Sequence, residues 1–340
     1  MTAPTMSGTD RTRKIYQPLH PSVRPLLDPE YVAFHDKYIQ YVEPDEDRPW
    51  DGSARTRQNW PYAGSPIVEV GSVEDFRPAP NIEFRVFTPT GPVPPQGWPV
   101  FIWMHGGGFA GGDINGDNDL CSMLCRDANC VVATVGYRLA PEHPYPAAIE
   151  DVTETLKWIN SDKGSSTLSI NRTKIAIGGA SAGANLAAVL CLIALDLKIP
   201  IMLQLLVVPV IDQTATVKTV WSEHVHAPWL TPSRMTWYRD LYLPHATPAK
   251  ACEWQVSPCF APEEALRRLP RTFFAIGGQD MLSTEGLAYA EKLKRLGVDV
   301  DVKVYEGMPH GMITLSGVVR KGRLAQMEIL GAVQKVFMNQ

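Results

Sequence analysis

The chain has 340 residues, 45% of them hydrophobic and 20% charged, with a net charge of −4. This is the balance of a globular protein with a sizeable core, and its slight acidity gives no footprint for nucleic acid or an anionic membrane surface. The six cysteines contain no C-x-x-C pair, so they read as buried free thiols in a reducing compartment rather than a disulfide frame.

The first residues, Met1–Lys14, carry basic side chains with no apolar stretch behind them, so no secretory signal is expected and the location is read as cytoplasmic. Residues 1–60 read as helical, with Pro25–Asp28 leading into an aromatic-rich helix near Glu30–Tyr41. Pro66–Val70 and Ile82–Thr88 are short, β-branched and alternating, as antiparallel edge strands are.

From Trp98 the pattern changes. Val100–Met104, Val131–Val135, Lys174–Ile177, Leu203–Val210, Thr272–Ile276 and Val300–Tyr305 are nearly continuous apolar runs, the signature of parallel strands covered on both faces. Helical patterns intervene at Asp119–Asp127, Ala147–Ser161, Ala182–Leu197, Thr284–Leu296 and Arg320–Met338. The alternation predicts a doubly wound α/β fold, with a mostly parallel eight-stranded sheet flanked by helices. The most apolar stretch, Ala182–Ile201, is broken by Asn185, Asp196 and Lys198, so it reads as a buried helix and not a membrane span. Residues from about 212 to 262 interrupt the alternation with Trp221, Trp229, Trp237, Tyr238, Tyr242 and Trp254. Such an insertion after a sheet strand reads either as a lid over the strand ends or as a satellite cluster beside the core. With no linker in view, residues 1–340 form one domain plus a lid.

Gly179-Ala180-Ser181-Ala182-Gly183 joins a strand to an alanine-rich helix. A serine nucleophile is projected from a sharp strand-to-helix turn, and small residues two before and two after it keep that turn free of clashes. Ala182, first in the helix, can aim its amide at a developing oxyanion. His105-Gly106-Gly107-Gly108-Phe109 follows a strand directly. Its glycines let the backbone approach a substrate closely, and Gly106 and Gly107 are the other candidate oxyanion donors. A phosphate loop would want a lysine after the glycines, where Phe109 stands.

Serine needs a base, and the base an orienting carboxylate. The chain order expected on this fold is Ser, acid, His, the latter two on loops after late strands. Asp280 and His310 meet that requirement. His20, His35, His224, His226 and His245 lie outside the late loops, His143 reads as shaping a loop, and Glu285, the rival acid, reads as a carboxylate at a helix N-terminus.

These residues together, with Tyr137–Glu142, the Asp280…Leu282…Glu285-Gly286 segment and Pro309-His310-Gly311, resemble the hormone-sensitive-lipase-like branch of the α/β-hydrolases, the family IV esterases. The resemblance runs from about Pro99 to the C-terminus. It implies a serine carboxylesterase acting on small-molecule esters with short to medium acyl chains, with no cofactor and no metal. It also implies a cap built from about residues 1–60 and 212–262, structural support from Asp113 and Tyr137–Glu142, and a possible homodimer through the last strand and helix. Asp280-Met281-Leu282-Ser283-Thr284-Glu285 departs from the family's Asp-x-Leu-x-Asp-Glu, and Met312 replaces a phenylalanine after His310-Gly311. The same triad could serve lactone, thioester or amide cleavage, or acyl transfer in metabolite biosynthesis. A non-catalytic ligand receptor on this fold tends to lose the histidine, which His310 argues against. For the pocket, Trp237 and Tyr238 read as walls, and Trp221 and Trp229 as packing.

Overall fold

Apolar runs this continuous need cover on both faces, and the structure, a computed structural model describing residues 13–56 and 60–338, provides it with helices on each side of one sheet, except along the edge strand Val300–Tyr305, which is mostly half-buried with Val304 exposed. The strands are β1 (Ser72–Ala79), β2 (Ile82–Thr88), β3 (Trp98–Met104), β4 (Val131–Val135), β5 (Ile170–Ala180), β6 (Leu203–Val207), β7 (Arg271–Gly277) and β8 (Val300–Tyr305). Across the sheet they run β1-β2-β4-β3-β5-β6-β7-β8. β2 is antiparallel to both β1 and β4, and every later pair is parallel. From β3 the chain steps outward to β4, then returns past β3 to β5. That reversal opens the crevice at the strand ends where such folds bind ligands.

Side chains alternate between two cores. Along β3, Val100, Ile102 and Met104 join the helices Ala147–Ile159 and Ala182–Leu197, while Phe101 and Trp103 face the helices Asn118–Asp127 and Arg320–Met338. The helix after Ser181 is buried at every position from Ala182 to Leu192, which accounts for its apolar sequence. Among the described residues, no helix is long and apolar enough to cross a membrane. Cys121, Cys125, Cys130 and Cys191 are buried free thiols, whereas Cys252 is free but exposed.

The chain departs from expectation in its first hundred residues and at one strand end. Pro66–Val70 forms no strand: Val68 N–H donates to Ser122 Oγ at 3.1 Å and Ser65 N–H to Ser316 Oγ at 2.8 Å, so side chains satisfy the backbone there. The edge strand is β1 instead, a mostly exposed segment carrying Glu74, Asp75 and Arg77, which left no apolar pattern to read. The run expected over Leu203–Val210 ends at Val207, where Val208 turns to a φ of 41°. Near the N-terminus, Asp28 caps a helix over Pro29–Lys37 by accepting from Glu30 N–H at 2.9 Å, and a separate 3₁₀ turn covers Ile39–Tyr41. Residues 1–12 and 57–59, assigned to the expected helical and cap segment, lie outside the described residues, as does most of Met1–Lys14.

The insertion is rooted on one carboxylate. Glu285 stands in the first turn of the helix Ser283–Arg295, but its donors come from elsewhere. It accepts Ile211 N–H at 2.7 Å, Asp212 N–H at 3.2 Å and Trp221 Nε1–H at 2.9 Å. Burial pushes its carboxyl up to about 7 from the ordinary 4.5, with these donors only partly opposing the rise. The folded chain therefore binds this proton more tightly than the unfolded chain. The stabilising contribution is complete below pH 4.5 and is lost as the pH rises through 7. Glu285→Gln has no such slope, so thermal melts at about pH 5 and about pH 8 should place the variant higher relative to wild type at the alkaline value, by a few degrees. A constant offset between the two would refute the assignment.

Candidate active site

β5 ends at Ala180 and a helix begins at Ala182, which leaves Ser181 alone to turn the chain. It does so at φ 55° and ψ −117°, a region L-residues avoid unless their surroundings enforce it. The enforcement is packing. A Cβ at Gly183 would stand 2.1 Å from Met104 O, and one at Gly179 would stand 2.3 Å from Gly183 O. Both glycines are therefore required for the helix to start tight against the end of β3. Ser181 N–H is held by Val207 O at 2.8 Å, which fixes the turn against β6 as well.

The glycine loop after β3 lies on the same spot. A Cβ at Gly106 would sit 3.2 Å from Ala180 O and 3.5 Å from the Ser181 Cβ, so its backbone runs alongside the serine. Gly107 has a φ of 119° and Gly108 a φ of 60°, conformations that favour glycine. The loop is braced from behind, since the Tyr137 ring stacks on His105 at 4.3 Å and its hydroxyl donates to His105 O at 2.8 Å. Arg138 donates through its N–H and Nε to Asp151, and His143 N–H closes a turn on Leu139 O at 3.0 Å. Asp113 accepts Asn115 N–H at 2.7 Å.

β7 and β8 deliver the other two residues. Their loops are tied by Gln279 N–H donating to Met308 O at 2.9 Å. Asp280 is fully buried; its Oδ1 accepts Leu282 N–H at 3.1 Å, and its Oδ2 lies 2.9 Å from His310 Nδ1. An ionised carboxylate only accepts, so Nδ1 carries the proton and Nε2 is left as an acceptor. Ser181 Oγ lies 2.7 Å from that Nε2 and donates to it. Residues 129 positions apart thus form one hydrogen-bonded chain.

Ser181 and His310 open into a cavity of about 310 Å³ with the loop Gly106–Gly108 on one wall. The N-terminal segment contributes Gln17, Ile39 and Trp60, and the insertion contributes Trp229, Met235 and Tyr238. Tyr238 is a wall as read from the sequence, packed so closely on Gly108 that a Cβ there would fall 2.2 Å from the ring. Trp237 is not part of the cavity. One residue along the helix Pro232–Tyr242 turns it about 100° away, where it packs on Trp50 at 5.7 Å. Trp229, read as packing, is a wall, standing edge-on to Trp60 at 5.2 Å. Trp221 is buried, as expected of packing.

Two features had no sequence signal. Arg234 donates through Nε to Glu46 Oε2 at 2.9 Å and through Nη2 to Gln17 Oε1 at 3.2 Å, tying the insertion to the N-terminal segment across the cavity. Asp117, on the cavity wall, accepts Trp103 Nε1–H at 2.8 Å, and burial pushes its carboxyl up to about 6. Among the described residues, no group of three or more His, Cys, Asp or Glu side chains gathers as a metal site.

The family model described as alpha/beta hydrolase fold matches residues 101–314. A Schizosaccharomyces pombe AB hydrolase superfamily protein is 40% identical, the match covering 94% of this chain and 97% of that protein. The carboxylesterase NlhH of Mycobacterium tuberculosis is 31% identical over 76% of this chain and 79% of its own length. Among solved structures, an esterase of Pyrobaculum calidifontis superimposes with a TM-score of 0.71 at 32% identity, covering 78% of this chain and 86% of that one. Family match, full-length relative and superimposed fold agree, and the chain belongs to the α/β-hydrolase family, in its hormone-sensitive-lipase-like branch.

Proposed function

We propose that this α/β-hydrolase cleaves short- to medium-chain carboxylic esters in two steps, through an acyl-enzyme on Ser181. Related proteins named as esterases and carboxylesterases support ester hydrolysis. The observation that carries the mechanism is the unbroken path from Asp280 Oδ2 through His310 to Ser181 Oγ, at 2.9 and 2.7 Å. Ser181 attacks the ester carbonyl while its proton passes to His310 Nε2. Asp280, buried and unable to turn away, holds the imidazole in the accepting tautomer and stabilises the imidazolium. The carbonyl oxygen, now negative, meets the N–H groups of Gly106, Gly107 and Ala182, each of which can contribute about 3–4 kcal/mol to the transition state. His310 then protonates the departing alkoxide. In the second step His310 takes a proton from water as it attacks the acyl carbon, then gives that proton to Ser181 Oγ as the acyl–oxygen bond breaks and the acid leaves.

The segments around 13–60 and 212–262 act in this reading as one cap, which sets chain length by the space it leaves over Ser181. The Arg234–Glu46 ion pair is its clasp, with Arg234 half-buried and Glu46 largely covered.

Ser181→Ala should abolish turnover of p-nitrophenyl acetate and butyrate, and a fluorophosphonate probe should label Ser181 alone by peptide mass spectrometry; label on another serine would move the nucleophile. Asp280→Asn keeps the geometry but favours the wrong tautomer, so kcat should fall by roughly 10⁴-fold. Glu46→Gln loosens the cap without touching the triad. It should raise KM severalfold for a medium-chain ester and leave kcat close to wild type, whereas a fall confined to kcat would remove Glu46 from the cap's role.

A further inference from the structure

The wall of the cavity contains an amide that the fold leaves unmatched. Gln213 is 1% exposed and lines the cavity into which Ser181 opens. Its backbone N–H donates to Ser257 Oγ at 2.8 Å, yet neither its Nε2 nor its Oε1 meets a protein partner. Other buried amides pair at least their nitrogen, although Asn185 Oδ1 and Gln204 Oε1 are unmatched. Asn185 Nδ2 donates to Val210 O and Val256 O, Gln204 Nε2 to Thr272 Oγ1, and Gln326 Nε2 to Asp119. Burying both ends of an amide unpaired costs the desolvation of a donor and an acceptor together, which native folds rarely accept.

Arg239 lines the same cavity. Its Nη2 donates to Ala215 O at 2.8 Å and its guanidinium lies over the Trp221 ring at 4.8 Å, but its Nε also lacks a partner. Gln213 therefore offers a donor and an acceptor, and Arg239 a further donor. Glu285, Asp212 and Asp240 already attract the guanidinium through space, which offsets part of the pull it would exert on a substrate anion.

We propose that Gln213 and Arg239 form a polar subsite that selects esters carrying a second, neutral group able both to donate and to accept a hydrogen bond, a hydroxyl or a carboxamide. The proposal rests on the reading of this cavity as the ester site. An ester with a plain alkyl chain fills the cavity but leaves the amide unpaired. A substituted one pairs it, and sites built to bond a polar group discriminate strongly against analogues that lack it.

The test is kcat/KM for p-nitrophenyl hexanoate against its ω-hydroxy, ω-carboxamide and ω-carboxylate counterparts, with a matching set of acetates substituted on the alcohol side. Wild type should favour a neutral polar member over its plain counterpart by about tenfold or more in at least one set, and should disfavour the carboxylate. Gln213→Leu should bring that ratio back toward one, and Arg239→Met should lower it. No preference in wild type, a preference for the carboxylate, or a Gln213→Leu enzyme that loses all members equally would overturn the subsite. The wild-type panel decides even where a variant fails to fold. If wild type hydrolyses none of the esters, the serine-hydrolase reading fails, and the subsite is then judged by thermal stabilisation. A rise in Tm with hexanediol above that with hexanol would support it, and equal effects would refute it.

Discussion

The site depends on how closely one helix can approach the end of one strand. Gly183 in the helix and Gly179 in β5 leave no room for a side chain between themselves and the backbone at Met104 and His105. That contact holds Ser181 at a positive φ and brings the glycine loop after β3 alongside it. The parallel neighbours β3 and β5 supply the two halves of this contact, and the reversal of strand order between them opens the space above it. The strain at Ser181 is sustained by the sheet, by Val207 O on its N–H and by the buried helix behind it.

Around this rigid centre the cavity is assembled from distant parts of the chain by a few polar contacts. Arg234 joins the insertion to Gln17 and Glu46, and Glu285 joins the root of the insertion to the helix that follows Asp280. Trp60 and Trp229 meet edge to face across the same boundary. The division of labour is physical. Close backbone packing fixes Ser181 and the glycine loop beside it, while side chains from outside the sheet define the space over them.

The hydrogen-bonded centre was legible because its geometry constrains residue type. A serine on so tight a turn requires glycine at two fixed offsets, and a loop that passes it at contact distance requires glycine again, so both left a mark in the sequence. Asp280 and His310 could be placed from chain order and from the strands before them. The cavity walls were legible only in part, for the opposite reason. Any large side chain can form a wall, so Trp237 read as a wall and Trp229 as packing, the reverse of what the helix and the loop preceding it impose. β1 escaped notice because an exposed edge strand has no burial pattern to advertise. The pairings of Arg234 with Glu46 and of Glu285 with residues 211, 212 and 221 are long-range and polar, and no local periodicity encodes them.

Glu285 has a consequence for how such an enzyme changes over time. The insertion enters through two adjacent backbone N–H groups and one indole, all converging on a single carboxylate carried by the scaffold. An insertion of different length or composition could be seated on the same carboxylate, provided it presents comparable donors at its root. Glu285 is thus a socket that seats the insertion on the scaffold, apart from the strained serine turn.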